Sequence, residues 1–210
     1  MGGAELLEDR TADVEMLPSD AFGIILIGAS GTGKSSSAAE LQEQGIVQVE
    51  PTFATRGMRP VEASAPPCDH VFITKQHFDE RIRAGHFIDQ RRMYGAQYGV
   101  PFFKKPPEGR VPLMVLKPVF VEPVLKHFPH MHTYQIEASA ATVIRRMRER
   151  GQSEADIAGR MRKHALETAM GRRLAKYVVR NEGRLGDAVQ RLAERIRADK
   201  AAHSVSEPVA

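Results

Sequence analysis

Eight residues, Gly28-Ala29-Ser30-Gly31-Thr32-Gly33-Lys34-Ser35, constrain this chain more than any other stretch. They fit G-x-x-x-x-G-K-[ST], a loop whose backbone N–H groups converge on phosphate oxygens. The flanks suit the motif. Gly23 to Ile27 is a short apolar run of strand type, and Ser35 to Glu43 reads as a helix carrying Ala38, Ala39 and Leu41. Strand, glycine loop and helix in that order aim the positive end of the helix at a bound anion. Gly28, Ser30, Gly31, Gly33, Lys34 and Ser35 are therefore the candidate phosphate binders. Lys34 is expected to reach β/γ-phosphates, and the Ser35 hydroxyl is the candidate metal ligand, for Mg²⁺.

The rest of the chain alternates strand-like and helix-like segments. Short apolar strands are expected at Val47–Val49, Val71–Ile73, Leu113–Leu116, Thr133–Glu137 and Tyr177–Val179, and a pair at His86–Gln90 and Gln97–Gly99 around a turn at Gly95. Helices are expected over Lys75–Ala84, capped by Thr74, over Val119–His127 with an interruption at Pro123, and over Ala140–Arg150, Ser153–Ala169 and Leu185–Ala198. The last of these puts Leu185, Val189, Leu192 and Ile196 on one stripe. Such alternation means α/β architecture, a parallel sheet covered by helices with ligands at the carboxyl ends of its strands.

Composition narrows the partners. In 210 residues, 42% are hydrophobic and 27% charged, enough for the core of one domain. The single cysteine, Cys68, excludes an intramolecular disulfide and suits a reducing cytoplasm. The longest apolar runs are too short for a bilayer, and the acidic N-terminal stretch is unlike a secretory signal. A formal charge of +4 suits an anionic ligand without requiring nucleic acid, since no aromatic platform accompanies the basic residues. Flexible tails are expected at 1–20 and 201–210, around a domain at 21–200. The sequence leaves the oligomeric state open.

A second set of motifs follows the first helix. Thr52-Phe53-Ala54-Thr55-Arg56-Gly57-Met58-Arg59-Pro60-Val61-Glu62 carries two arginines three apart. Then come Asp69-His70-Val71-Phe72, Phe87-Ile88-Asp89 and Tyr94-Gly95-Ala96-Gln97-Tyr98-Gly99. In order and approximate spacing these resemble the guanylate kinase family, which joins its phosphate loop to T-T-R-x-x-R-x-x-E, D-Y-x-F, F-[IL]-E and G-x-x-Y-G stretches. The resemblance continues through Arg146 to Gly151, Ile157, Arg160, Met161 and Glu167, and ends at Tyr177 to Asn181. It implies a P-loop kinase fold with a central parallel sheet, a small acceptor-binding insert at about 52–100 and a helical lid at about 145–173.

The activity so implied is transfer of the γ-phosphoryl group of ATP, with Mg²⁺, onto a phosphorylated acceptor, GMP first among them. A kinase for another phosphorylated small molecule, or a non-catalytic module binding a phosphorylated protein segment, are the alternatives. Arg56, Arg59 and Tyr98 match family residues that hold the acceptor phosphate, and a planar guanidinium suits an oxyanion. Arg146, Arg150 and Arg160 match lid arginines that reach ATP phosphates, with Lys34, Arg146 and Arg160 as the catalytic set. Asn181 matches a residue near the adenine, and Thr52 a hydroxyl that reads the base. His70 stands where the family carries a phosphate-binding tyrosine, and reads equally as a weaker donor or as an exposed loop histidine. Arg145, Arg148, Arg162, Arg172 and Arg173 read as solvated surface.

Three positions depart from the family. Asp89 stands in for a base-reading glutamate and is one methylene shorter. The family's L-D-I-D-x-Q-G strand end is replaced by Met114-Val115-Leu116-Lys117-Pro118-Val119-Phe120. Val115 thereby replaces a base-reading aspartate, and Lys117 an aspartate of the magnesium region, a local change of two charge units.

Overall fold

The computed structural model of the chain describes residues 15–58, 62, 69–93 and 95–206. Arg59, Cys68 and Tyr94 lie outside these, as does most of the expected N-terminal tail. Five strands form one all-parallel sheet in the order β2-β7-β1-β8-β9: β1 Gly23–Ile27, β2 Val47–Val49, β7 Val111–Val115, β8 Met131–Glu137 and β9 Tyr177–Arg180. Both faces are covered, so β1 reads as an unbroken apolar run. Its side chains nevertheless alternate between two cores. Ile24 and Leu26 pack with α1 (Lys34–Glu43) and α6 (Leu185–Ser206), whereas Ile25 and Ile27 pack with α3 (Val121–His127) and the insert. The stripe of Val189, Leu192 and Ile196 on α6 is buried in the first core.

The insert is a second sheet, ordered β4-β3-β6-β5. It comprises β3 Thr52–Ala54, β4 His70–Phe72, β5 Phe87–Met93 and β6 Ala96–Pro101, with α2 (Lys75–Arg83) beside it. The first three residues of the two-arginine stretch form β3, recruited by pairing with β6 at Phe53↔Gly99 and with β4 at Thr52↔His70. Such a short strand has no period of its own to read. Thr74 caps α2 by accepting from His77 N at 3.2 Å.

The lid is α4 (Ala140–Glu149) and α5 (Glu154–Leu174), capped by Ser139 and Ser153. They close over a small apolar cluster of Ala138, Val143, Met147 and Ile157. A 3₁₀ turn at Pro118–Phe120 leads into α3, and Pro123 does not interrupt that helix. It lies in the first turn, where no intrahelical bond needs its missing N–H. Described residues within the expected tail ranges are also placed. Met16 bridges to Lys104, Leu17 is buried and donates its N–H to Phe103 O at 3.0 Å, and α6 runs on to Ser206.

Candidate active site

The glycine loop emerges from the carboxyl end of β1, in the middle of the sheet. Gly33 is the N-cap of α1 at φ +102°, with no side-chain cap. The first N–H groups of the helix are therefore left for an anion. A Cβ at Gly33 would collide with Asn181 Nδ2, and one at Gly28 with Ile136 O. Left-handed backbone and close approach both demand glycine at these two positions.

The loop floors a cleft of about 1130 Å³, solvent-open space included. Gly28, Ser30, Gly31, Gly33, Lys34 and Ser35 line its donor end, with Arg150, Arg160 and Glu167 of the lid opposite. Lys34 Nζ donates to Ala29 O at 2.9 Å. Its pKa falls to about 8, first because of burial and then because of the Lys117 cation; Glu167 and Asp69 pull it partway back. Arg160 Nη1 donates to Ser30 Oγ at 2.7 Å, so the lid already touches the loop.

Thr52, Arg56, His70, Tyr98 and Lys117 line the other end of the same cleft. The Thr52 hydroxyl lies 2.7 Å from His70 Nδ1 and donates to Asp69 O at 3.1 Å, so His70 is a bonded wall residue and not a solvated loop histidine. Arg56 is gripped by both oxygens of Glu62, at 2.6 and 2.7 Å, and lies 4.6 Å over the Phe72 ring. Burial opposes its charge most strongly, but Glu62 and Tyr98 together outweigh burial and raise its pKa above the ordinary value. Tyr98 is 8% exposed, and Lys117 Nζ sits 5.9 Å from its ring centre. Val100, Val115, Leu116 and Phe120 form the apolar part of the wall.

Three expected site residues stand outside the cleft. Asp89 follows a register shift in β5 between Phe87 and Asp89, which re-aims the strand, and Arg91 Nε holds its carboxylate at 2.8 Å. Asn181 is 2% exposed and its amide is spent within the protein. Nδ2 donates to Thr32 O at 2.9 Å, and Oδ1 accepts from Arg146 Nη2 at 3.2 Å. Arg146 also donates to Gly183 O. Asn181 thus braces the back of the phosphate loop, and Arg146 is tied to it through Nη2 while its buried Nη1 has no partner among the described residues. Arg172, expected on the solvated surface, pairs through two 2.6 Å bonds with the buried Glu137 at the end of β8.

Sequence reasoning gave no role to Asp69, Glu62 or Glu167, all of which line the cleft. The available signal was their place within the motif stretches, where Glu62 and Asp69 fall on the acidic positions.

A phosphate loop at the carboxyl edge of a parallel sheet, an inserted mixed sheet facing it and a helical pair above define a P-loop kinase fold. Comparison with known proteins narrows the class. The guanylate kinase of Syntrophus aciditrophicus strain SB is 33% identical over 184 residues, 85% of this chain and 87% of that one. The guanylate kinase of Symbiobacterium thermophilum is 27% identical over 192 residues, 88% and 90% of the two chains. The crystal structure of guanylate kinase from Anaplasma phagocytophilum matches the fold with a TM-score of 0.65 over 88% of this chain and 89% of that one, at 21% identity. No protein-family model matches. The chain belongs to the guanylate kinase family.

Proposed function

We propose that the protein transfers the γ-phosphoryl group of ATP to the phosphate of a nucleoside monophosphate, GMP giving GDP, in the cytoplasm. The observation that carries this reading is the single cleft with Lys34 and Ser35 at one end and Arg56 and Tyr98 at the other. Two polyanions must be brought together, and cations converge on the cleft from the loop, the lid, the insert and the end of β7. Lys34 and Arg160 stabilise charge on the transferred group, with Arg150 beside them. Arg56 and Tyr98 hold the acceptor phosphate, Arg59 belongs to the same stretch, and His70 and Thr52 form the wall beside them. Lid helices over the cleft exclude water that would divert transfer into hydrolysis. Mg²⁺, when bound, neutralises charge on the β- and γ-phosphates. Ser35 Oγ and the buried Asp69 carboxylate, whose Oδ1 has no partner among the described residues, fit such an ion.

A second acceptor class is favoured by one observation. Asp89 is held by Arg91 and does not line the cleft, Val115 is apolar and Lys117 is cationic, so the cleft wall carries no acidic group at the family's base-reading positions. An acceptor with an additional anionic group suits that wall. The test is phosphoryl transfer from ATP to GMP and to a panel of phosphorylated small molecules, in the natural protein and in Lys34→Ala. Loss of one charge stabiliser of this kind costs ~10²-fold or more in turnover. Unchanged turnover in a folded Lys34→Ala protein refutes the kinase reading.

A further inference from the structure

P-loop enzymes pair the loop Ser/Thr with an aspartate, and together they hold Mg²⁺. In the guanylate kinase pattern an aspartate of the magnesium region stands at the strand end, and here that position is Lys117, a cation. The carboxylate beside Ser35 is instead that of Asp69, the first residue of the Asp69-His70-Val71-Phe72 stretch. Asp69 Oδ2 accepts the Ser35 Oγ–H at 2.7 Å. The residue is 1% exposed, lines the cleft, and keeps its second oxygen, Oδ1, buried without a hydrogen-bond partner among the described residues. A buried carboxylate oxygen with nothing to accept is costly unless a ligand completes it.

We propose that Asp69 is the acidic residue of the magnesium site, supplied by the acceptor insert and not by the central sheet. The inference rests on the proposed kinase function. By accepting the Ser35 hydrogen bond, Asp69 fixes the hydroxyl rotamer and leaves the oxygen lone pairs for the metal. Its second oxygen, Oδ1, would be left to accept from the hydration shell of a bound ion. Mg²⁺ retains several waters and takes few protein ligands, so one hydroxyl and one carboxylate suffice alongside phosphate oxygens. Among the described residues no group of three His, Cys, Asp or Glu side chains forms a metal cage, which fits an ion that arrives with its nucleotide. Asp69 is also tied to the acceptor end: its carbonyl accepts from Thr52 N at 3.0 Å and from Thr52 Oγ1 at 3.1 Å. The Asp69 carboxylate and the acceptor-end Thr52 are therefore hydrogen-bonded neighbours.

The test is calorimetric titration of ADP into the full chain, in saturating Mg²⁺ and in EDTA, for the natural protein and Asp69→Asn. The natural protein should bind ADP more tightly with Mg²⁺. Asp69→Asn should lose about 10-fold or more of that enhancement, the usual cost of removing a metal's outer-shell partner. Its affinity in EDTA should stay the same or rise. An equal Mg²⁺ enhancement in both proteins, or none in the natural one, overturns the inference and leaves the kinase reading standing. A natural protein that binds no ADP at all overturns both. Because Asp69→Asn removes a buried charge, a measurement on the unaltered protein runs in parallel. Fe²⁺ with ADP, ascorbate and hydrogen peroxide cuts the backbone next to a bound metal. Cuts at the 33–36 loop and at Asp69–His70 support the assignment, and cuts at 33–36 and 115–118 that spare Asp69 overturn it.

Discussion

Lys34 gives nucleotide binding a pH signature. In the ligand-free protein its pKa is lowered from 10.5 to about 8, by burial first and by Lys117 second. A phosphate oxyanion placed against Nζ favours the charged form and raises that pKa again. The bound lysine therefore stays protonated where the free one has begun to lose its proton, and binding takes up the difference. With a free-state pKa of about 8, the uptake is about 0.1 proton at pH 7, about 0.5 at pH 8 and about 0.9 at pH 9. Above pH 8 the affinity should fall about tenfold per pH unit until the bound lysine itself titrates. The stability of the empty protein has a matching slope. Between pH 8 and 10.5 the unfolded chain holds more protons at this site, so Lys34 makes stability rise with pH across that window. The assay is titration of ADP with Mg²⁺ in buffers of different ionisation enthalpy, at pH 7, 8 and 9. Groups titrating near neutrality release their influence as pH rises, so uptake that grows from 7 to 9 isolates the lysine. Lys34→Arg, whose guanidinium stays charged throughout, should abolish the rise. Uptake that is flat or falling over this range, or a rise that persists in Lys34→Arg, refutes the reasoning.

Other perturbations separate the two ends of the cleft. Arg56→Ala should weaken acceptor use by about 10- to 100-fold, the worth of a charge-assisted phosphate bond, while ADP affinity measured by calorimetry stays nearly constant; equal losses at both ends would misplace Arg56. Gly33→Ala forces a left-handed backbone and a Cβ into Asn181, so nucleotide binding should be lost and thermal unfolding should show a cost of at least ~1 kcal/mol. Val115→Asp with Lys117→Asp should raise kcat/KM for GMP relative to other acceptors, since a polar reader discriminates far better than an apolar wall; a natural value for GMP of ~10⁶ M⁻¹s⁻¹ or above would show that the substitutions are already compensated. Arg172→Ala leaves the buried Glu137 carboxylate with Gln135 Nε2 as its one side-chain partner among the described residues, and denaturant melts should show a loss of stability; an unchanged midpoint would make the pair inconsequential.

The donor half of this site was legible because its chemistry is local. Strand, glycine loop and helix are consecutive, and the positive φ values of Gly28, Gly31 and Gly33 are what the motif's glycines are for. The parallel sheet followed from alternation, with strand ends off by one or two residues. The acceptor half was less legible because long-range pairing makes it. β3 exists only through β4 and β6, and neither the β5 register shift before Asp89 nor the Arg91–Asp89 pair leaves a mark in composition. Asn181 matched the family by position, yet its amide is committed to Thr32 O and to Arg146 Nη2. The Ser35–Asp69 bond joins residues 34 apart, and the Arg160–Ser30 bond residues 130 apart, separations at which no spacing rule operates.

The central position of β1 has a consequence in time. Ile24, Ile25, Leu26 and Ile27 are wholly buried, and parallel neighbours bond the strand on both edges. Its amides should exchange with solvent water only through opening of the whole fold. The four-stranded insert has β4 at one edge, with His70, Val71 and Phe72 all half-buried, and β5 at the other. Its amides should exchange through smaller and far more frequent openings. The phosphate loop is thus rooted in the slowest part of the molecule, while Arg56, Tyr98 and Asp69 ride on a part that can open and close many times within one global unfolding event.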